Sequence, residues 1–201
     1  MISSVIYDDV EAIKSALKLH CDNQNIDLDP TYSTGGFYKG GFIKKPRFCF
    51  DIDPQVPGVI KADASKLPLA NFSVKTIIFD PPFLATTGPS LKSKNKNNKL
   101  NKRFGVFPNE PALFKFYEDA IKELYRVCSE SGTLIFKCQD KVSSGKQYFS
   151  HCFIYNKAIE VGWHPVDFFI MISKRRLIAN WQRANQLHAR KFHCYYWIFK
   201  K

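Results

Sequence analysis

The clearest pattern in the chain is the apolar, β-branched run Val74-Lys75-Thr76-Ile77-Ile78-Phe79, which predicts a buried strand and ends abruptly in Asp80-Pro81-Pro82-Phe83. Consecutive prolines stop it because neither can donate to a sheet ladder. Three acid-ended segments precede this strand: Ile26-Asp27-Leu28-Asp29, Arg47-Phe48-Cys49-Phe50-Asp51, and a short Lys61-Ala62-Asp63. Beyond it the period turns helical. Leu113, Phe116, Tyr117, Ala120, Ile121, Leu124 and Val127 form an apolar stripe, with Asn109 as N-cap, Pro111 in the first turn and Ser131-Gly132 as the expected stop. Further helices are expected from about Asp9 to Leu19 and from Tyr148 to Val161, the latter halted at Gly162. Strands are expected at 133–137, 166–172 and 193–199, which makes an open α/β sheet.

Ligands of open α/β sheets bind beyond the carboxyl ends of the strands, where Asp80-Pro81-Pro82-Phe83 lies. Asp80 and the Pro81 carbonyl can accept hydrogens from a flat exocyclic amine, and Phe83 can stack on the ring that carries it. A plain strand capped by a Pro-Pro turn is the alternative. Upstream, Asp29-Pro30-Thr31-Tyr32-Ser33-Thr34-Gly35-Gly36 reads as a first strand entering a small-residue turn, whose glycines permit close backbone approach and positive φ. Asp51 follows by about 20 residues, the interval at which a carboxylate meets ribose hydroxyls in nucleotide-binding α/β units. Asp63-Ala64 ends the third segment, so four acidic strand ends occur in order.

The series DPTYSTGG, FDIDP, ADASKLP and FDPPF resembles the class I S-adenosylmethionine-dependent methyltransferases, and the resemblance covers nearly the whole chain because a helix-plus-strand pair and a terminal strand pair follow in the expected order. It is most similar to the amino-methyltransferases whose D/N-PP-Y/F/W tetrad methylates adenine or cytosine amines. The tail from Leu187 to Phe199 looks like that of small bacterial or phage adenine-specific enzymes. The resemblance implies a Rossmann-like, seven-stranded, mostly parallel sheet with an antiparallel last strand and helices on both faces. It implies S-adenosylmethionine as cofactor, held by Asp29, Pro30, Thr31, Ser33, Gly35, Asp51, Ile52, Asp63, Ala64 and Asp80, with Asp51 on the ribose and Asp63 near the adenine amine. Asp80, Pro81, Pro82 and Phe83 take the catalytic positions, and the leading aspartate favours adenine. Ser33 departs from the family's glycine, and a negative φ would accommodate it. The chain has no Pro-Cys pair, which argues against attack by a cysteine on a ring carbon. Related tetrads also serve protein lysine and glutamine methyltransferases, and a noncatalytic nucleic-acid-binding subunit of a methyltransferase pair is a third reading.

Composition sharpens the choice of partner. The 201 residues carry a net charge of +12, unevenly placed: residues 1–90 hold 9 Lys/Arg against 10 Asp/Glu, residues 91–201 hold 21 against 8, so the halves carry −1 and +13. The excess lies in Lys92, Lys94, Lys96, Lys99, Lys102 and Arg103, expected as a mobile loop directly after the tetrad, and in a stretch that includes Arg175, Arg176, Arg183 and Arg190. Basic segments beside a catalytic pocket suit a polyphosphate partner, DNA in preference to RNA, with a partner subunit for target recognition as a further option. The length suits a single catalytic domain over 1–201 with basic insertions at about 90–105 and 174–191, and 45% apolar residues suffice for its core. Six cysteines without a C-x-x-C pair, and His188 and His193 without acidic or cysteine partners, indicate neither disulfides nor a metal site. With no signal-peptide pattern and no run of 18 apolar residues, the expected place is the cytoplasm, away from membranes. Of the remaining polar groups, Lys137, Gln139 and Asp140 either line the target pocket or simply end a strand. His151 and His164 read as structural or surface groups, and Phe37 and Tyr38 as core in preference to a cofactor cover.

Overall fold

In the computed structural model, which describes residues 1–22, 25–85, 107–173 and 186–201, the chain opens with strand β1 (Val5–Ile6) and helix α1 (Asp9–His20). Asp8 caps α1, its carboxylate accepting from the N–H groups of Val10 and Glu11 at 2.8 and 3.1 Å. Strands β2 (Leu28–Asp29), β3 (Phe48–Asp51), β4 (Ile60–Lys61) and β5 (Val74–Phe79) follow. Then come α2 (Glu110–Val127), β6 (Cys128–Cys138), the hairpin β7 (Lys141–Ser143) and β8 (Lys146–Tyr148), α3 (Ser150–Val161), β9 (His164–Ile172) and β10 (His193–Lys200). No helix among the described residues is long and apolar enough to cross a membrane.

Eight strands make one sheet in the order β1-β9-β10-β6-β5-β2-β3-β4. Neighbours pair in parallel except at β10, which runs antiparallel to both β6 and β9. The expected seven-stranded sheet with a reversed last strand is thus present, widened by the two-residue β1 beside β9. Alternation of side chains across the pleat sorts the core into two layers. Ile78 and Ile135 face α1 through Ala12, Ile13, Ala16 and Leu17. Ile77, Phe79, Leu134 and Phe136 face α2 and α3 through Leu113, Tyr117, Leu124, Ile154 and Ala158. Because both faces are covered, β5 reads as a nearly continuous apolar run.

The expected β2 begins two residues late. Asp27 stands outside the strand, and its carboxylate accepts from the N–H groups of Lys75 and Thr76 at 2.8 and 3.0 Å, a side chain doing the work of a ladder rung. Asn109 and Gly162 act as expected: Asn109 Oδ1 accepts from the Ala112 N–H at 2.9 Å, and Gly162 closes α3 at φ 113°. The stop of α2 lies elsewhere than at Ser131-Gly132. The helix ends at Val127 and the chain turns straight into β6 at Cys128. Ser131 and Gly132 instead form an irregularity where β6 meets β5, the register jumping from the Val74–Cys128 pair to Thr76–Thr133. A Cβ on Gly132 would sit 2.3 Å from Cys128 Sγ and 2.8 Å from the Lys75 carbonyl, so the glycine serves a close approach of two backbones. Gly132→Ala is expected to destabilise the fold by about 1–3 kcal/mol, the usual cost of an overpacked interior, read as a lower urea midpoint at unchanged m-value.

Candidate active site

Parallel pairing of β2, β3, β5 and β6 brings their carboxyl ends to one edge of the sheet, and the antiparallel β10 begins at the same edge. Asp29, Asp51 and Asp80 therefore converge there, as their places at strand ends require. The loop after β5 is braced at successive residues. The Asp80 N–H donates to Thr31 Oγ1 at 3.0 Å, Tyr117 Oη donates to the Pro82 carbonyl at 2.6 Å, and Lys141 Nζ donates to the Phe83 carbonyl at 2.7 Å. Lys141 is itself buried and ion-paired with Glu110 at 2.5 Å; burial nonetheless holds its pKa below the ordinary lysine value. Pro81 is buried, while Asp80, Pro82 and Phe83 are half-buried.

The turn after β2 is built around Asp29. This carboxylate is buried, accepting from the Thr31 N–H at 3.0 Å and from Tyr38 Oη at 2.7 Å. Burial raises its pKa to about 7, against the lowering by those two donors. Tyr38 joins the core as expected, stacked on Tyr32 with ring centroids 5.2 Å apart. Gly35 is left-handed at φ 69°, and the space where its Cβ would stand holds the Tyr32 ring, 2.6 Å from the hydroxyl. Gly36, in contrast, faces open space. The negative φ that would accommodate Ser33 in the glycine's place is not what the structure has: its φ is +51°. Its N–H donates to Asp51 Oδ2 at 2.7 Å, which ties the turn to β3, and its Oγ is buried with no hydrogen-bond partner. The other Asp51 oxygen accepts from the Asp53 N–H at 2.9 Å. Pro30 is buried between these groups and Ile52 is exposed beside them. Asp63 is exposed and accepts from the Ser65 N–H and Oγ at 2.8 and 2.7 Å, with Ala64 buried next to it.

Sequence reasoning ranked Lys137 with two strand-end neighbours, and the structure separates it from them. Gln139 Nε2 donates to the His193 carbonyl, and Asp140 accepts from the His151 N–H and ring Nδ1 at 3.2 and 2.8 Å, fastening the start of α3. Both serve the framework, as does His151. Lys137 Nζ instead lies 3.5 Å from Asp80 Oδ2 and 3.0 Å from Asp9 Oδ1, with a side chain only 9% exposed. Burial alone would lower its pKa, and the Asp80 and Asp9 carboxylates outweigh that, raising it above the ordinary lysine value. The signal was available in the sequence: a lysine inside Leu134-Ile135-Phe136-Lys137-Cys138, a segment otherwise apolar.

Of the cations assigned to nucleic acid, Arg190 is described, half-buried and three residues ahead of β10 at the same edge. Lys92, Lys94, Lys96, Lys99, Lys102, Arg103, Arg175, Arg176 and Arg183 lie outside the described residues. The flanks of both stretches are fixed, Ala85 bridging to Phe107 and the Ser173 N–H donating to the Phe192 carbonyl at 2.7 Å.

No protein-family model and no curated protein sequence matches this chain. Solved structures do. An S-adenosylmethionine-dependent methyltransferase from Thermotoga maritima aligns over 96% of this chain and 89% of its own, at 16% identity and a TM-score of 0.52. A complex between the Haloferax volcanii Trm112 methyltransferase activator and a methyltransferase aligns over 93% and 87%, at 11% identity and 0.52. The cytosine-N4-specific PvuII DNA methyltransferase aligns over 70% of this chain and 48% of its own, at 12% identity and 0.50. The chain spans about half the length of the DNA methylases it matches. The fold is the Rossmann-like class I methyltransferase fold.

The raised pKa of Asp29 makes the fold sensitive to pH. The folded state keeps this proton up to about pH 7 whereas a free carboxyl loses it near 3.8, so the group's contribution is greatest below 3.8 and declines as pH rises toward 7. Asp29→Asn keeps an acceptor for Tyr38 and removes the titration. Its stability relative to wild type should climb between pH 4 and 7, by at most about 1.4 kcal/mol per pH unit, and level off above; urea unfolding across that range checks it.

Proposed function

We propose that this chain is an S-adenosylmethionine-dependent N-methyltransferase acting on the exocyclic amine of adenine in nucleic acid, DNA in preference to RNA. The observation that carries the reading is the braced loop after β5, which fixes the Asp80 carboxylate, the Pro81 carbonyl and the Phe83 ring at the carboxyl edge beside a buried ammonium. An amine on an aromatic ring is a poor nucleophile because its lone pair is delocalised. Asp80 and Pro81 accept its two hydrogens and draw the lone pair out of conjugation, while Phe83 holds the ring by stacking. No strong base is required for this.

The turn after β2 fits the cofactor. The orphaned Ser33 Oγ and the open face of Gly36 offer a buried hydroxyl and an approachable backbone, and Asp51 stands beside them at the interval suited to ribose hydroxyls. S-adenosylmethionine bound there supplies an electrophilic methyl group on sulfur. Asp29, Pro30, Thr31, Ser33, Gly35, Asp51, Ile52, Asp63, Ala64 and Asp80 surround that place in this reading. The PvuII enzyme, by its own description, methylates the N4 amine of cytosine in DNA, a ring-attached amine of the same kind. The aspartate that leads the tetrad favours adenine here, and the cationic second half suits a phosphate backbone. In a duplex the target base must be flipped out of the stack to reach the loop.

Incubation with radiolabelled S-adenosylmethionine and, separately, duplex DNA, single-stranded DNA, ribosomal RNA and cell protein is expected to label DNA. Label in protein alone would overturn the substrate class in favour of a lysine or glutamine methyltransferase. Asp80→Ala should abolish transfer while calorimetry still shows cofactor binding. Asp51→Ala should lose that binding with its fold intact, and unchanged affinity would remove Asp51 from the cofactor's contacts.

A further inference from the structure

The amino-methyltransferase reading uses Asp80 and Phe83 and leaves unexplained the buried cation between them. Lys137 Nζ is enclosed on two sides by carboxylates, Asp80 Oδ2 at 3.5 Å and Asp9 Oδ1 at 3.0 Å. Around the rest stand three aromatic rings, Phe37, Tyr196 and Phe83, with centroids 5.3, 5.7 and 5.9 Å from the nitrogen. The surrounding rings keep water away, so attraction to each carboxylate is far less screened than at a surface. Asp9 is held in turn by Tyr196 Oη at 2.5 Å, so α1, β5, β6 and β10 meet at one ammonium.

A buried lysine is expensive, and a structural ion pair would need only one partner. Lys137 sits instead beside both groups that the proposed chemistry uses, the Asp80 carboxylate that accepts the amine's hydrogen and the Phe83 ring that stacks on the base. We propose that Lys137 is a positioning residue of this site: it holds Asp80 as an aimed carboxylate and sets the Phe83 ring face against it. The inference rests on the amine-methylation reading. Asp80 also interacts with Asp29 from the turn after β2, Tyr117 from α2, Cys138 from β6, and Cys194 and Tyr196 from β10, while Asp9 from α1 shares Lys137 with it. Among the described groups around Asp80, Lys137 is a cation, and its charge favours the ionised carboxylate.

Three variants test this, each checked for folding by circular dichroism. In protein without cofactor, the 13C signal of the Asp80 carboxyl, assigned by its loss in Asp80→Asn, is followed against pH. Lys137→Met should move its midpoint up by about one pH unit or more, the usual effect of losing an opposite charge at this range. Asp9→Asn should move it down, since the ammonium then faces Asp80 with one competitor fewer. In turnover of DNA, Lys137→Met should lower kcat about 100-fold with little change in KM for DNA, and should shift the acid limb of the pH–rate profile upward; Lys137→Arg should recover most of the loss. Should Lys137→Met fail to fold, the Asp80 midpoint decides in the other two, expected lower than wild type in Asp9→Asn and close to wild type in the charge-preserving Lys137→Arg. An Asp80 midpoint unmoved by Lys137→Met, or by Asp9→Asn where the first does not fold, overturns the assignment. A wild-type protein that labels no DNA defeats the functional reading alone, because the carboxyl titration needs neither cofactor nor substrate.

Discussion

Strand β5 lies between β2 and β6, with α1 over one face and α2 and α3 over the other, so its backbone groups have no solvent to bond to and must be satisfied within the ladder. That requirement explains features that otherwise look unrelated. Where β2 is too short to supply a rung, the Asp27 carboxylate takes the Lys75 and Thr76 N–H groups. Where β6 must come close, Gly132 removes the side chain that would stand in the way. The strand can then end only at its carboxyl edge, and two prolines make that end abrupt. Residues 80 to 83 are thereby delivered to the mouth of the sheet in one orientation.

Much of this was legible in the sequence, and the reasons are local. Val74–Phe79 was found because burial on both faces leaves an uninterrupted apolar run. The α2 stripe and its Asn109 cap were found because helix periodicity and capping chemistry act within a few residues. Ser131-Gly132 was misread because a glycine needed for contact with Lys75, far off in sequence, looks the same on paper as a glycine needed for a left-handed cap. The positive φ of Ser33 was missed for a related reason: the Asp51 carboxylate that accepts its N–H lies 18 residues away. The role of Lys137 depends on four elements meeting, which no window of sequence contains. Even so, a charge amid strictly apolar neighbours is a mark of a site worth testing.

Among the buried ionisable groups at the carboxyl edge are Asp29, Lys137 and Lys141, each with polar partners from other elements. A core built for stability alone would place apolar residues there, since charges removed from water rarely offset their own desolvation. What they add is definition. Each pins a loop that the sheet itself leaves unsupported: Asp29 the turn after β2, Lys141 the Phe83 backbone, Lys137 the Asp80 side chain. The site is thus stiffened by the least stabilising class of interaction in the fold.

The pairing of Ala85 with Phe107 closes the chain behind the tetrad before the intervening residues begin, and the bond between Ser173 and Phe192 does the same after β9. For a segment whose ends are already joined, each doubling of length costs only about 0.6 kcal/mol of closure entropy. Over evolutionary time, a frame joined on both sides of a stretch can accept change in the sequence of that stretch while the residues that position Asp80 stay under separate selection.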